Sequence, residues 1–307
     1  MAPGRRLVHE LGPADSGADL SEIVAALLAR AGADETAAAA IARGAVFVDR
    51  ARAARPDQRP TAGQVVSVTL SCGGPPELEL IAEDEHVLVL AKPAGISSVA
   101  DLSDRSGSLL GIAEARWGAG LHLLGRLDRE VTGVVVALRT ASARRRAALL
   151  RRAGRIEREY VAVVAPAPAW QERDLDLPIG RHPTDPRLRA AGGREAVPAL
   201  TRVRVVAERP LEGREGPALV EARPVTGRTH QIRVHLSHAG HPIAGDRAYG
   251  GPRRLTRADG EVLACPRVLL HAARLRMPHP GGSGMLEAEA PWPDDLRRIV
   301  AALESRR

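Results

Sequence analysis

The stretch Leu123–Arg139 reads LLGRLDREVTGVVVALR. From Gly133 it is apolar without alternation. A strand covered on both faces reads this way. Just before it, Asp128 lies between Arg126 and Arg129, in a segment whose glycines and polar residues read as a loop. Similar runs occur along the chain: LELIAED (78–84), HVLVLAK (86–92), EYVAVVA (159–165), ALTRVRVVA (199–207) and ALVEARPV (218–225). Helical patterns are interspersed as SARRRAALLRRAG (142–154), THQIRVHLSHAG (229–240) and PDDLRRIVAALESR (293–306). Strands outnumber helices and do not alternate with them regularly. The expected fold class is therefore α+β, built on a mixed or antiparallel sheet.

Ahead of this region the pattern is different. SEIVAALLARAG (21–32) has apolar positions at helical spacing, with Ser21 as the expected cap and Gly32 as the stop. TAAAAIARG (36–44) is a second short helix ended by Gly44, and AVFVD (45–49) and QVVSVTL (64–70) read as strands. Residues 19–70 thus form a small ααββ unit. Residues 1–18 read as a flexible tail, residues 71–78 as a linker and residues 79–307 as the larger domain. The Pro/Gly/Arg-rich stretches around 181–195 and 209–216 read as surface loops.

The 307 residues are 44% hydrophobic but only 2% aromatic, so the core must be aliphatic. The net charge is +7, carried by arginine; Lys92 is the only lysine. This balance points to a polyanionic partner, nucleic acid first. Solubility and a bias towards Ala, Arg and Gly also account for it. Cys72 and Cys265 have no metal-ligand spacing, and a reducing, cytoplasmic setting fits, although a disulfide between them is compatible with the sequence. No secretory signal and no membrane-spanning run is present. Phosphate-loop, dinucleotide-binding, serine-hydrolase and zincin motifs are absent, so no cofactor is expected.

Three clusters carry potential chemistry. Asp128, flanked by guanidinium groups, is suited to remain ionised as a nucleophile or general base. As an ordinary turn carboxylate it would pair with arginine at the surface. If its segment is extended, Glu130 shares its face. The second cluster is PVTGRTHQIRVHLSHAGHPIAGDRAYGG (224–251), where Thr229 is the expected cap of a helix with Ile232 and Leu236 on its apolar side. His230 and Arg233 then fall near the helix start beside Arg228, where cations are unfavourable unless a phosphate or carboxylate compensates. The histidines at 230, 235, 238 and 241 do not have a zinc-site spacing. The third cluster is IEREYVAVV (156–164), in which Tyr160 shares a strand face with Arg158. It is placed either to pack within the sheet or to stack on a base and move a proton.

With these clusters in view, the sequence resembles RluA-type RNA pseudouridine synthases over most of residues 79–295. EDEHVLVLAKPAG, GRLDREVTG, REYVAVV, TGRTHQIRVHL, GHPIAGDRAYG and LLHAARL occur in the family's order. Residues 19–70 resemble an S4-type RNA-binding module through GAVFVD and AGQVVSV. The resemblance implies a cofactor-free isomerase that flips a uridine out of structured RNA, cleaves its glycosidic bond and rejoins the base through C5. It makes Asp128 the catalytic carboxylate, Arg233 its cationic partner and Tyr160 the active-site tyrosine. Arg126 is implied to fill the space left by the flipped base. Arg129, Arg228, Thr229, His230, Gln231 and Ile232 are expected at the RNA or the base. Large-subunit ribosomal RNA is the favoured substrate, with tRNA as the alternative, and the enzyme is expected to be a monomer away from membranes. A non-catalytic RNA-binding factor and a base-releasing nucleosidase are the other readings. Three departures stand out. Gly125 replaces the histidine of HRLD, Val131 and Thr132 replace the Thr-Ser of DxxTSG, and ISSVAD follows KPAG where a histidine is usual.

Overall fold

The computed structural model describes residues 6–15, 17–33, 35–42, 45–49, 51–53, 55–70, 77–99, 107–208, 216–256 and 260–304. Gly44, Cys72, residues 71–76 of the expected linker and residues 209–215 lie outside them. The chain divides into two compact units, residues 1–77 with 99–118, and residues 78–98 with 119–307.

In the first unit, β1 (Arg6–Glu10), α1 (Leu20–Arg30), α2 (Ala37–Ala42), β2 (Val46–Val48), β3 (Ala51–Arg52) and β4 (Val65–Thr69) surround one core; the unit also contains α3 (Leu109–Trp117). The four strands form an antiparallel sheet in the order β1-β4-β2-β3. Leu20, Ile23, Val24, Leu27 and Leu28 of α1 bury one helical face in the same core as Val46, Val48, Val66 and Val68. Two expectations change. Residues 6–10, read as part of a flexible tail, pair along β4, because the alternation in RLVHE suits an edge strand. The cap of α1 is Asp19, not Ser21. The Asp19 carboxylate accepts from the Glu22 N–H, and the Glu22 carboxylate accepts from the Asp19 N–H. Gly32 follows α1 at φ +65°, as its role as a stop requires.

The second unit contains β5 (Glu79–Glu83), β6 (Val87–Lys92), β7 (His122–Leu123), β8 (Thr132–Leu138), α4 (Ala141–Arg152), β9 (Glu157–Val164), β10 (Glu172–Asp176), β11 (Ile179–Arg181), β12 (Arg189–Ala191) and β13 (Arg194–Val197). It continues through β14 (Leu200–Glu208), β15 (Ala218–Pro224), α5 (Gln231–His238), β16 (Arg254–Thr256), β17 (Val262–Ala264), β18 (Leu270–Pro278), β19 (Met285–Glu289) and α6 (Asp294–Glu304). The main sheet is mixed, in the order β10-β14-β15-β9-β18-β8-β6-β5, with β19 beside β18 and β7 beside β8. Every residue of β8 is buried, which explains its unbroken apolar run. It lies antiparallel to β6 and parallel to β18. Gly133, at φ +122°, lets the two parallel strands meet, because a Cβ there would stand 2.2 Å from the Ala272 carbonyl oxygen.

Ile232 and Leu236 of α5 and Leu296, Ile299 and Val300 of α6 share a core with β9, β14 and β15. Ala143 and Ala147 of α4 lie in another core with β6 and β8. The stretch 181–195, expected as a surface loop, contributes Arg181, β12 and the start of β13 to a small sheet in the order β12-β11-β13, with loop between them. Gly180 and Gly193 let its backbones approach more closely than any side chain would permit. Across the main sheet runs a chain of ion pairs: Arg204–Glu221, Glu221–Arg223, Arg223–Glu159, Glu159–Arg274 and Arg274–Glu289. No helix among the described residues is long and apolar enough to cross a membrane. Cys265 is a buried free thiol, pushed by burial up to about 11.

Candidate active site

Asp128 sits on the turn that feeds β8, and this turn is braced residue by residue. Ser98 Oγ donates to the Leu127 carbonyl at 2.8 Å and accepts from the Leu127 N–H at 2.9 Å. Lys92 is buried, and its ammonium donates to the carbonyls of Pro93, Arg129 and Val131 at 3.0, 3.1 and 2.8 Å. Burial lowers the Lys92 pKa to about 8, against the pull of Asp128 and Glu130. Arg129 Nε donates to the Gly95 carbonyl at 2.8 Å, and the Gly95 N–H donates back to the Arg129 carbonyl at 2.9 Å. Arg267, itself buried and paired with Asp295 at 2.7 Å, reaches the Glu130 carbonyl at 3.4 Å. The Val131 N–H closes the turn on the Asp128 carbonyl. The segment is therefore not extended. Glu130 is exposed in the turn, and the expected shared face with Asp128 does not form.

The cation on Asp128 comes from α5, not from its sequence neighbours. Arg233 Nη1 donates to Asp128 Oδ2 at 2.8 Å. The other edge of the same guanidinium is gripped by Asp246, with Nε to Oδ2 at 2.7 Å and Nη2 to Oδ1 at 2.8 Å. Asp246 is fully buried, on a turn that Gly245 permits at φ +84° where a Cβ would collide with the Arg267 carbonyl. Although burial opposes its charge, the two carboxylates hold Arg233 above its ordinary pKa. The compensating anion expected at the start of this helix is thus a pair of carboxylates. The Arg233 guanidinium also lies over the Tyr249 ring, 4.8 Å from its centroid.

His230 adopts the left-handed conformation at φ +58° and forms the N-terminal boundary of α5 without a side-chain cap. Thr229, the expected cap, is exposed. The turn is closed instead by Gln231, whose side-chain oxygen accepts from Thr226 Oγ1 and the Arg228 N–H. The Tyr249 hydroxyl accepts the Arg189 N–H at 3.0 Å and shares a 2.7 Å hydrogen bond with His230 Nδ1. His230 Nε2 lies 3.6 Å from Asp128 Oδ2. Burial holds His230 below its usual pKa, opposed by Asp128 and assisted by Arg233.

Tyr160 is half-buried on β9 against the main core. Burial raises its phenol pKa; the charge of Arg158 lowers it and that of Asp128 raises it. The structure therefore joins Asp128, Arg233 and His230 directly, and brings Tyr160 within the field of Asp128. Arg126 is exposed two residues from Asp128, and Arg228 and Thr229 are also on the surface. Gln231 and Ile232, expected at the RNA or base, are buried. The Gln231 amide nitrogen donates to the Leu200 carbonyl and Thr201 Oγ1, so its polar groups are committed inside the fold.

Thr132, a departure from the family pattern, keeps a hydroxyl 2.8 Å from Nδ1 of buried His271. His235 and His241 bond to Leu177 and Pro166 carbonyls. Among the described residues no group of His, Cys, Asp or Glu is arranged to hold a metal ion. Lys92, Ser98, Asp246, Tyr249 and Arg267 were not singled out from the sequence. Asp246 and Tyr249 lie inside the diagnostic GHPIAGDRAYG segment, which was the available signal.

Residues 86–238 match the family described as RNA pseudouridylate synthase. Ribosomal large subunit pseudouridine synthase D of Xanthomonas campestris pv. campestris is 34% identical over 255 residues, spanning 78% of this chain and 74% of that protein. Ribosomal large subunit pseudouridine synthase C of Escherichia coli (strain K12) is 34% identical, spanning 74% and 70%. Among solved structures, human RNA pseudouridylate synthase domain containing 4 aligns with a TM-score of 0.56 at 25% identity, over 73% of this chain and 92% of that one. Human RNA pseudouridylate synthase domain containing 1 shares the fold, with a TM-score of 0.57 at 23% identity over 77% and 98%. On these matches the chain belongs to the RNA pseudouridylate synthase family and is an isomerase that converts uridine in RNA to pseudouridine.

Proposed function

We propose that this enzyme modifies uridines of large-subunit ribosomal RNA and that Asp128 carries the chemistry. The substrate reading is supported by the names of the relatives and by the surplus of arginine. The observation that carries the site reading is the Asp128–Arg233 contact at 2.8 Å, with Arg233 anchored from behind by buried Asp246. A carboxylate so fixed, yet with its side chain 28% exposed, is held in place and still open to a substrate.

The reaction needs no redox step. The N1–C1′ bond breaks, uracil turns within the pocket, C5 bonds to C1′, the C5 proton leaves and N1 gains one. The target must first leave its stack. Arg126, exposed beside Asp128, takes the vacated place with its planar guanidinium. Asp128 works on the sugar, as a nucleophile at C1′ or a base for the C2′ proton. Tyr160 stacks on the detached base or relays its proton. His230, with Nε2 3.6 Å from Asp128 Oδ2, lines the site beside the carboxylate. The unit containing residues 19–70 acts as an S4-type RNA-binding module. The enzyme works as a monomer in the cytoplasm, a setting with which the free Cys265 thiol agrees.

The test is Asp128→Asn, assayed on an unmodified transcript of large-subunit ribosomal RNA. Pseudouridine formation should fall by at least about 10³-fold, with RNA affinity at the wild-type level. Substantial product from the purified variant overturns the assignment of Asp128. Wild-type activity on tRNA but not on this transcript overturns the substrate.

A further inference from the structure

The loop that carries Asp128 begins at Gly125, and the guanidinium of Arg158 borders the place a side chain there would enter. A Cβ on Gly125 would stand 3.4 Å from Nη2 of Arg158 and 4.0 Å from its Cζ. The guanidinium of Arg158 therefore rests on the bare glycine, where the family pattern carries histidine. Arg158 lies on β9 opposite Leu275, two residues from Tyr160 and on the same face. Its charge acts on the Tyr160 phenol. The acids beside it in sequence do not neutralise it. Glu159 is on the opposite face, bound to Arg223 and Arg274. Glu157 also lies on that face, opposite Arg276. Among the described residues Arg158 has no ion pair.

Arg158 also feels a second cation, Arg151, in the last turn of α4. From Ala141 to Ile156 the chain has six arginines and no acid. Arg144 and Arg146 are tied to the Gly120 and Gly282 carbonyls, while Arg151, Arg152 and Arg155 are exposed. Like charges held together beside an active-site loop favour an anion between them, and the planar fork of arginine matches phosphate oxygens.

We propose that Arg158, seated on Gly125, binds a backbone phosphate of the RNA strand flanking the target uridine, and that Arg151 extends this contact towards α4. This rests on the RNA-isomerase reading above and adds to it the residue pair that holds the strand at the mouth of the site. Gly125 is the neighbouring partner: a Cβ alone would meet Arg158 in ordinary contact, whereas a side chain as large as histidine would compete with the guanidinium.

The experiment measures binding of the full-length protein to the unmodified ribosomal transcript by filter retention across a range of sodium chloride concentrations, with thermal unfolding as a check on folding. Arg158→Ala should weaken binding about tenfold and reduce the slope of log affinity against log salt by about 0.7, the share of one single-strand phosphate contact. Arg158→Lys keeps the charge and should restore most of the slope. Gly125→His should weaken binding in the parent chain and add little in the Arg158→Ala chain, since both remove the same contact. A folded Arg158→Ala protein with unchanged affinity and slope overturns the proposal, as does additivity of the two substitutions. A parent protein that binds the transcript without salt dependence sinks the RNA reading itself, a separate result from indifference to Arg158 alone.

Discussion

Arg233 divides its guanidinium between two carboxylates, offering Nη1 to Asp128 at 2.8 Å while Nε and Nη2 clasp Asp246. The arginine acts as a rigid bracket. One edge fixes it to a buried turn and the other positions the reactive side chain.

Lysine has the charge of arginine but not the fork, so Arg233→Lys can serve only one of the two acids well. Single-turnover isomerisation should fall about 10²-fold. Asp246→Asn keeps the shape but removes the buried counter-charge, and denaturant unfolding should show a loss of about 3 kcal/mol. Wild-type turnover in Arg233→Lys contradicts the bracket.

Lys92 has a pKa near 8 in the fold against an ordinary value of 10.5. Between these values the unfolded chain binds more protons, so stability rises with pH across this window. The slope from this group is at most about 1.4 kcal/mol per pH unit. It should be missing in Lys92→Met, whose Asp128 turn also loses three carbonyl bonds and whose activity should fall. Equal slopes in the two proteins contradict the assignment.

His271 is held neutral between Thr132 and the Ala290 carbonyl, with its pKa lowered by burial from 6.5 to about 4. As pH falls through this interval the unfolded state takes up the proton first, so stability is lost towards acid. The limiting slope is again about 1.4 kcal/mol per pH unit. His271→Gln should flatten the acid limb of a plot of unfolding free energy against pH.

Gly133 lies where β8 meets β18, with no room for a methyl group and a positive φ. Gly133→Ala should cost about 3 kcal/mol or more, through collision and strain together. Unfolding in urea measures it, and a loss below about 1 kcal/mol would show that the strands separate easily.

The main strands and the α4, α5 and α6 helices were legible because burial imposes periodicity on their side chains. β8 announced itself by an apolar run, and α5 by Ile232 and Leu236 one turn apart. β1 was not, since RLVHE pairs at an edge and sits in a polar context. The sheet of β11, β12 and β13 was hidden because its cohesion comes from glycines at close backbone contacts. Asp128 and Arg233 stood out as charges in unusual places. Lys92 and Ser98 did not, because they act on backbone carbonyls and N–H groups that no sequence pattern reports. The cap reading of Thr229 failed because His230 bounds α5 and Gln231 closes the turn, a role that no side-chain pattern reports.

The turn bearing Asp128 is clasped by residues 92–98 on one side and by Arg233 and Arg267 on the other, with Asp295 behind Arg267. During translation the first half of this clasp emerges from the ribosome long before the second. The complete clasp thus needs segments as distant in sequence as residues 92 and 295 to meet. A change near residue 295 should therefore reach the turn bearing Asp128 through Arg267, far from it in sequence.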